Sequence, residues 1–586
     1  MHYLQSAATG VLLVLLLAPS APASGNVLDD FSNIAHWQVL TSDGVELDAR
    51  FEADDADAAH PTSLRLDLDF ASSGFAGVRY LLPLDLPPNF ELAISVRGDL
   101  PRNNLEFKLV DESGENVWWV NRRAFEFPRE WTKLASRRRH FEFAWGPSPE
   151  PLRRAGSLEI IVASHEGGQG TIWLDDLTFR PLPELQPYTS TPVASASSSI
   201  SAAPPAAVLD SNGDTHWQSA PGDQQPMLTI NFGQSREFGG VVVAWDPTNF
   251  APRYGLQFSD DGETWTTVRT VDRNSGRTQF LATPDAEARA IRLKMHAASG
   301  APVAIRDVEI LPLETSKTPN AFAYEIARRA PRGHFPRAIA GEGTFWTIVG
   351  VPVDEHEALV SEDGAIEVDK ESFSIEPFLT TNEGLLTWAD ATISQSLAEG
   401  FAPVPTVTLD FNGLRLAVTA AADGDAGQSS LTLLYSLTNT SDQPRDGALW
   451  LALRPFQVNP PYQWLNTVGG VARVGRIELD ASHRQVTVDD RVMALGTPPD
   501  AFGAATFDEG DIVSFLAANS LPPDTSVVDP QRAASAALRY DFELAPGATQ
   551  SWAVCVPFSR SRDVQQRLVE SLLAADDPVD HLRNRH

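Results

Sequence analysis

The sequence predicts an all-β protein made of three consecutive β-sandwich domains, followed by a short C-terminal helix. Alternating apolar runs broken by turn residues recur along the chain, and helical periodicity is scarce. The 586 residues include 43 prolines and 39 glycines, and about 100–200 residues per domain implies three or four domains. Short strands separated by frequent turns are typical of sandwiches rather than of α/β folds.

Residues 1–23 have the pattern of a secretory signal peptide. The apolar run from Val11 to Ala18 is shorter than the roughly 20 residues that span a bilayer. The sequence Ala21-Pro22-Ala23 is an A-x-A site, which predicts cleavage after Ala23. A membrane anchor is the alternative interpretation. We therefore expect a secreted or periplasmic protein, and the single cysteine, Cys555, excludes an internal disulfide bond.

The charge of the chain argues against two classes of partner. There are 77 acidic and 45 basic residues, which gives a formal net charge of −32. Binding to nucleic acid needs a basic face, and adsorption to anionic membranes needs basic segments. We therefore expect no nucleic acid partner.

The strand-like runs divide the chain into three domains, at residues 26–183, 192–313 and 317–560, with a polar linker at 184–191. In the third domain, Asn412-Gly413 separates two alternating runs, which is the strongest short signal for a hairpin. Residues 561–586 form a helical tail, in which Val564, Leu568 and Leu572 recur at helical spacing. A further turn of helix is expected at "FAYEIARRA".

The second domain begins with a loop rich in oxygen atoms, "VLDSNGDTHWQS" at residues 208–219. Asp and Asn beside Gly favour a turn, whereas several oxygen ligands on one tight loop are also how proteins hold Ca²⁺. Taken alone, the loop leaves both interpretations open.

The order of motifs in this domain resembles the discoidin, or coagulation factor 5/8 type C, domain. The residues that carry the resemblance are Asp210, Thr215, Trp217, Tyr254, Ser259, Asp261, Gly262, Trp265 and the run Ala290-Ile291-Arg292-Leu293. The sequence departs from the family pattern twice, with Ser211 in place of Gly and Asp307 in place of Glu.

The resemblance implies a structural Ca²⁺ held by Asp210, Thr215 and Asp307. It also implies that Trp217 and Trp265 belong to the core. In carbohydrate-binding relatives, loops at one end of the sandwich hold the glycan. The loop residues able to do so here are His216, Phe250, Arg253 and Arg273, together with Asn249 and Arg277.

The first domain resembles the galactose-binding-like, jelly-roll carbohydrate-binding modules, through an early "DDF" and a closing "WLDDLTF". The resemblance implies a second Ca²⁺ site, with Asp30 and Asp176 as ligands. Adjacent Trp118 and Trp119 must face opposite sides of a strand, so that one can join the core while the other binds sugar.

The third domain resembles the large β-sandwich that precedes the catalytic barrel of (α/α)-barrel glycoside hydrolases and disaccharide phosphorylases. The pattern that carries the resemblance is "LYSLTNTSDQPRDGALWLALRPF". The resemblance implies a separate or missing (α/α)-barrel catalytic domain as a partner.

No catalytic motif stands out: the sequence has no H-E-x-x-H, C-x-x-C, G-x-S-x-G or Walker loop. We therefore expect an exported protein that binds poly- or oligosaccharide and is the non-catalytic part, or a relative, of a glycan-degrading enzyme. One alternative is a glycoside hydrolase or polysaccharide lyase with its active site on the third sandwich. Another is a discoidin-type adhesion protein.

Overall fold

The computed structural model describes residues 26–33, 36–54, 57–184, 187–297, 300–463 and 467–573. The predicted signal peptide and residues 574–586 lie outside these ranges. The chain forms two compact units, Met1–Pro187 and Tyr188–His586. Strands account for 53% of the structure and helices for 8%, which confirms the prediction of an all-β protein.

The first unit contains two antiparallel sheets. Its strands are β1 (Asn26–Asp29), β2 (Trp37–Thr41), β3 (Val45–Ala53), β4 (Thr62–Phe70), β5 (Phe75–Asp85), β6 (Phe90–Asp99), β7 (Asn103–Asp111), β8 (Val117–Phe125), β9 (Thr132–Arg137), β10 (Glu142–Trp145), β11 (Arg154–Ala163) and β12 (Gly168–Pro181). Sheet I has the order β3-β4-β12-β6-β9, with β1 paired to β12, and sheet II has the order β10-β8-β7-β11-β5-β2. Alternate residues of both sheets, such as Leu66 and Phe107, form one core.

The second domain occupies the start of the second unit. Its strands are β13 (Val193–Ala196), β14 (Trp217–Gln218), β15 (Met227–Trp245), β16 (Arg253–Ser259), β17 (Thr266–Val271), β18 (Gln279–His296) and β19 (Ala304–Leu311). They form one sheet, in which β15 and β18 are long and shift register between Asn231 and Arg236. The two halves of these strands have different neighbours, and their inward residues share one core around Trp217.

The third domain is the largest of the three. Its strands are β20 (Trp346–Gly350), β21 (Glu357–Ser361), β22 (Ile366–Glu367), β23 (Ser374–Thr381), β24 (Gly384–Leu386), β25 (Thr392–Ala398), β26 (Ala402–Phe411), β27 (Leu414–Asp423), β28 (Ser430–Asn439), β29 (Arg445–Arg454), β30 (Arg476–Leu479), β31 (Gln485–Val488), β32 (Arg491–Leu495), β33 (Ala501–Ala505), β34 (Ser526–Val528), β35 (Ser535–Leu544) and β36 (Thr549–Pro557). They form an eight-stranded and a nine-stranded sheet. Phe411 pairs with Leu414 across the predicted Asn412-Gly413 turn, and Gly413 has a φ of +88°.

Three α-helices lie in the described residues: α1 (Pro319–Ala327), α2 (Ile512–Ala517) and α3 (Arg562–Leu573). The sequence predicted α1 and α3 but not the short α2. Helix α3 packs on the third domain through Gln565 and Val569, and Val569 contacts a cluster that contains Cys555. The predicted stripe at Val564 and Leu568 is only half-buried, and the side chain of Leu572 lies outside the described residues. Among the described residues, no helix is both long and apolar enough to cross a membrane.

Candidate functional site

Trp118 and Trp119 lie on opposite faces of β8, as their adjacency predicts. Trp118 is 5% exposed and belongs to the core, where its ring meets Phe143 edge-on at a centroid distance of 5.4 Å. Trp119 is half-buried on the other face. Its ring meets Trp145 of the neighbouring strand β10 at 5.6 Å and 83°. Trp119 is therefore the member of the pair that a ligand can reach.

Three aromatic rings surround one ammonium group on the solvent face of sheet II. The Nζ atom of Lys108 lies 5.3 Å from the ring centroid of Trp145 and 5.9 Å from those of Trp119 and Phe75. Trp145 is 48% and Phe75 41% exposed. An ammonium over aromatic rings is attracted by their quadrupoles, by about 0.5–1 kcal/mol at exposed sites. We call Phe75, Lys108, Trp119 and Trp145 the aromatic face.

Polar groups lie beside the aromatic face in the next row of the sheet. Glu106 accepts from Lys108 at 2.8 Å and from Asn121 Nδ2 at 3.2 Å. Asn121 Oδ1 is buried and has no hydrogen-bond partner among the described residues. A buried amide oxygen without a partner is costly to the fold, so it is a place where a ligand hydroxyl can gain a hydrogen bond.

The row that contains Trp119 continues across sheet II. Register places Trp119 beside Lys108, Lys108 beside Glu159, and Glu159 beside Arg79. Arg79 donates to Glu159 Oε1 through Nε at 2.8 Å and Nη2 at 2.6 Å. No local sequence signal marks Lys108, Glu106 or Asn121, because only strand pairing brings these positions beside Trp119.

The predicted glycan-binding residues of the second domain differ in how exposed they are and in what they contact. His216 is half-buried next to the core residue Trp217. Arg253 is exposed and forms an ion pair with Asp272 at 2.7 Å. Phe250 is half-buried against Gly276, whose position leaves no room for a Cβ atom beside the Phe250 ring.

The loop that contains Arg273 contacts the third domain. Arg273 Nη2 lies 2.9 Å from Glu509 Oε1 and also pairs with Asp524. Ser275 Oγ donates to the Glu509 carbonyl at 2.7 Å. Arg277 Nη1 donates to Ser514 Oγ at 2.6 Å. These contacts hold the loop against the third domain. A glycan that bound Arg273 would have to compete with the carboxylates of Glu509 and Asp524.

The two tryptophans of the discoidin motifs also differ. Trp217 is fully buried, and its Nε1 donates to the Ser198 carbonyl at 3.1 Å. Trp265 is half-buried outside the core, with the guanidinium of Arg292 4.1 Å from its ring centroid. The prediction that Trp265 belongs to the core is therefore wrong: its ring packs under an arginine at the edge of the sheet.

Asp210 and Thr215 form an oxygen-only pair, and Asp307 lies near enough for the charge of Asp210 to act on its carboxylate. Thr215 Oγ1 donates to the Asp210 carboxylate at 2.8 and 2.9 Å. Asp210 Oδ1 also accepts from the backbone N–H of Asn212 at 2.9 Å, which closes an Asx turn. Burial, with the nearby negative charges of Glu309 and Asp210, raises the pKa of Asp307. Two neighbouring carboxylates with hard oxygen donors fit the chemistry of Ca²⁺.

Asp30 and Asp176, the predicted ligands of the first domain, are not joined by a shared carboxylate cluster. The Asp30 carboxylate binds its own turn, with Ser32 N at 3.1 Å and Ser32 Oγ at 2.7 Å. Asp176 lies instead with Asp175 and His60, and one donor atom from each of these three lies within 4.8 Å of the other two. His60 was not predicted as a ligand, because it lies 115 residues from Asp175 along the chain.

A small cavity in the third domain contains two carboxylates, Asp363 and Glu376. Its volume is about 30 Å³, which is room for water but not for a sugar ring. Arg337 Nε donates to Asp363 at 2.9 Å, and Arg454 Nη1 donates to Glu376 at 2.8 Å. Both carboxylates are therefore engaged by arginines. Cys555 is 2% exposed in β36, which is consistent with an inert core thiol.

Comparison with known proteins identifies the second domain. Residues 193–308 match the family model of the F5/8 type C domain, and these residues form a discoidin-type domain. No curated protein matches the chain.

Several solved structures are similar to parts of the chain. A chitosan-binding module 1 derived from a chitosanase/glucanase of Paenibacillus sp. IK-5 is 22% identical, over 22% of this chain and 98% of that module, with a TM-score of 0.20. The family 11 carbohydrate-binding module of a Clostridium thermocellum cellulosomal cellulase is 12% identical, over 28% and 100%, with a TM-score of 0.23. The family 32 module from C. perfringens NanJ, in complex with galactose, is 19% identical, over 20% and 92%, with a TM-score of 0.18.

Proposed function

We propose that the protein binds poly- or oligosaccharide through the aromatic face of its first domain. The observation that carries the proposal is the position of Trp119 and Trp145 around Lys108, with the unpartnered Asn121 Oδ1 in the next row. Sites for small ligands combine apolar and aromatic surface with a few placed polar groups. The aromatic face has both.

Each group has a distinct role in this proposal. The rings of Trp119, Trp145 and Phe75 pack on the apolar C–H faces of sugar rings. Lys108 donates to sugar hydroxyls, while Glu106 and Asn121 Oδ1 accept from them. Lys108 and Glu106 form an ion pair at 2.8 Å, so they offer a donor and an acceptor side by side, which is the arrangement that vicinal hydroxyls can bridge.

The ligand in this proposal is a chain of several sugars. The row from Trp119 to Arg79 crosses the strands β8, β7, β11 and β5. At a strand spacing of about 4.8 Å, the row is about 14 Å long. A site of that length contacts more than one sugar unit, so affinity is expected to rise from monosaccharide to oligosaccharide.

The discoidin domain has a structural role in this proposal. Asp210, Thr215 and Asp307 hold Ca²⁺, which binds the folded domain and thereby stabilises it. The contacts of Arg273, Ser275 and Arg277 with the third domain support a fixed position for its 273–277 loop. A glycan site on the loops that contain His216, Phe250 and Arg253 is the alternative to the aromatic face.

Export and a link to a glycan-degrading enzyme complete the proposal. The signal-peptide pattern of residues 1–23 supports a secreted or periplasmic protein. The resemblance of the third domain to the sandwich of (α/α)-barrel enzymes supports a separate or missing barrel catalytic domain as partner. Asp363 and Glu376 of the third domain are engaged by Arg337 and Arg454, which favours a non-catalytic third domain.

Affinity electrophoresis of the full chain through gels that contain soluble polysaccharides tests the proposal. We expect retardation by at least one polysaccharide, with loss of retardation in Trp119→Ala and Trp145→Ala. Trp265→Ala, which removes a half-buried tryptophan from the discoidin domain, is the matched control and should keep the retardation. Loss only in Phe250→Ala or Arg253→Ala would move the site to the discoidin loops. Release of reducing ends or unsaturated sugars would favour an enzyme.

A further inference from the structure

His60, Asp175 and Asp176 bring three metal-binding donor atoms together in the first domain. His60 precedes β4, and the two aspartates lie in β12, where the pairing with β6 shifts register between Asp175 and Thr178. His60 Nδ1 lies 2.7 Å from Asp175 Oδ2 and 3.7 Å from Asp176 Oδ2. One donor atom from each residue lies within 4.8 Å of the other two.

This donor set does not fit the Ca²⁺ site predicted for the first domain. Calcium takes six to eight oxygen ligands, whereas one donor here is an imidazole nitrogen, and the Asp30 carboxylate is bound to Ser32. Imidazole suits Zn²⁺, Ni²⁺, Cu²⁺ and related ions. These residues therefore fit a transition-metal ion better than they fit Ca²⁺.

The distances are compatible with one such ion. Zinc lies about 2.0–2.1 Å from a histidine nitrogen and about 2.0–2.2 Å from a carboxylate oxygen. Two donors of one tetrahedral ion at those lengths lie about 3.3–3.5 Å apart. The observed separations of 2.7 and 3.7 Å fall on either side of that value, so small rotations of exposed Asp176 and of His60 are enough.

The charge of the group also favours a cation. Among the described residues, His60 is the one basic side chain within ion-pair distance of Asp175 or Asp176. Asp175 is 3% exposed, so water contributes little to the solvation of its charge. A divalent ion would neutralise the two negative charges of Asp175 and Asp176, whereas a protonated His60 carries only one positive charge.

Neighbouring groups hold the donors in place. Asp175 Oδ1 accepts from the backbone N–H of Asp176 at 2.7 Å, which leaves Oδ2 directed to His60. Trp131 stacks on the His60 ring at a centroid distance of 4.3 Å and an interplanar angle of 26°. Such contacts around the ligands fix their orientation, and their loss commonly lowers metal affinity by about 10–100-fold.

We propose that His60, Asp175 and Asp176 bind a divalent transition-metal ion such as Zn²⁺ or Ni²⁺ in the first domain. This site is independent of the aromatic face and of the Ca²⁺ site of the discoidin domain. Its role is structural, because the ion would link the loop before β4 to the bulge of β12.

The test uses the full chain without an affinity tag, freed of metal by chelation, and titrated with Zn²⁺, Ni²⁺ and Ca²⁺ by calorimetry. We expect one Zn²⁺ or Ni²⁺ site that weakens at least tenfold in His60→Gln and in Asp176→Asn. The Asp176 side chain is 51% exposed, so this variant keeps the site testable if His60→Gln folds poorly. Quenching of fluorescence by Ni²⁺ should also decrease in Trp131→Phe, because Trp131 lies against the ligand.

His356→Gln is the matched control. His356 Nδ1 lies 3.1 Å from Asp369 Oδ2, but Arg491 already pairs with that carboxylate, so this variant should keep full Zn²⁺ affinity. Equal Zn²⁺ binding by wild type and Asp176→Asn would overturn the proposal. If neither Zn²⁺ nor Ni²⁺ binds at millimolar concentration, the three residues form an ion pair only and the proposal is wrong. If Ca²⁺ binds instead and its binding is lost in Asp176→Asn, the site is the Ca²⁺ site that the sequence predicted, and the proposal is also wrong.

Discussion

Lys108 and Trp119 face each other across strands β7 and β8, with the ammonium nitrogen 5.9 Å from the centre of the indole ring. The same ammonium lies 5.3 Å from the ring of Trp145. This relationship defines a surface in which aromatic rings and a charged donor are fixed by one sheet. A surface built on paired strands keeps its geometry better than one built on loops, which are more mobile.

The paired tryptophans should differ in what their removal costs. Trp118→Ala should lower the free energy of unfolding of the first domain by about 3–5 kcal/mol, because it leaves a cavity in the core. Trp119→Ala should change that stability much less, since its ring is half-buried on the solvent face. Urea unfolding of both variants, followed by circular dichroism, measures the difference. Equal losses would mean that Trp119 is also a core residue.

The second and third domains should unfold together. Arg269 and Asp508 form an ion pair in which the side chains are 8% and 17% exposed, and Gln279 Nε2 donates to the Asp508 carbonyl at 2.6 Å. Breaking a buried pair by removing one partner costs about 3–5 kcal/mol. Arg269→Ala should therefore split the calorimetric transition of residues 188–586 into two.

The control for this prediction is Arg253→Ala. Arg253 pairs with Asp272, but the two side chains are 64% and 63% exposed, and exposed pairs contribute about 0–1 kcal/mol. This variant should keep a single transition at nearly the wild-type temperature. If residues 188–586 of the wild type unfold in two transitions, the prediction that the second and third domains unfold together is wrong.

Chelation should destabilise the discoidin domain through Asp210. We expect EDTA to lower the melting temperature of the wild type, and Ca²⁺ in excess to restore it, because an ion that binds only the folded state stabilises it. In Asp210→Ala, the transition of the unit that contains the discoidin domain, Tyr188–His586, should keep the same melting temperature with and without EDTA, whereas the first domain keeps any response that comes from its own metal site. Asp214→Ala, on the same loop, is the control and should keep the EDTA response. If EDTA leaves the melting temperature of the wild type unchanged, the Asp210 loop is an Asx turn that holds no Ca²⁺.

The third domain should lose stability as the pH rises, through Glu367. Glu367 is 1% exposed, and burial raises its pKa from 4.5 to about 8. Between these pH values the folded state keeps a proton that the unfolded state has released, so stability decreases with rising pH. Glu367→Gln keeps an oxygen to accept from Asn459 N and should flatten this part of the pH profile. An unchanged slope would show that Glu367 is ionised in the fold.

The sequence predicted much of the fold because the signals are local. Alternation along one strand places Trp118 and Trp119 on opposite faces, and Asn412-Gly413 closes a hairpin, since both follow from neighbouring residues. The family resemblance of the discoidin domain also rests on short motifs whose order can be read directly.

The sites could be predicted only in part because they depend on contacts between distant residues. His60 and Asp175 are separated by 115 positions, and Ser275 and the Glu509 carbonyl by 234. Alternation assigns a face to each residue but not a partner, so Lys108 could not be placed beside Trp119. For the same reason, the contact of the Arg273 loop with the third domain could not be foreseen.

Sugar chains should bind at the aromatic face of the first domain. The most direct test is calorimetric titration of the full chain with an oligosaccharide of whichever polysaccharide retards it. We expect binding that weakens by about 30-fold or more in Trp119→Ala, the effect of about 2 kcal/mol at which an aromatic contact counts as a hot spot. Trp265→Ala should bind as the wild type does. Unchanged affinity in a folded Trp119→Ala, Trp145→Ala double variant would contradict the claim.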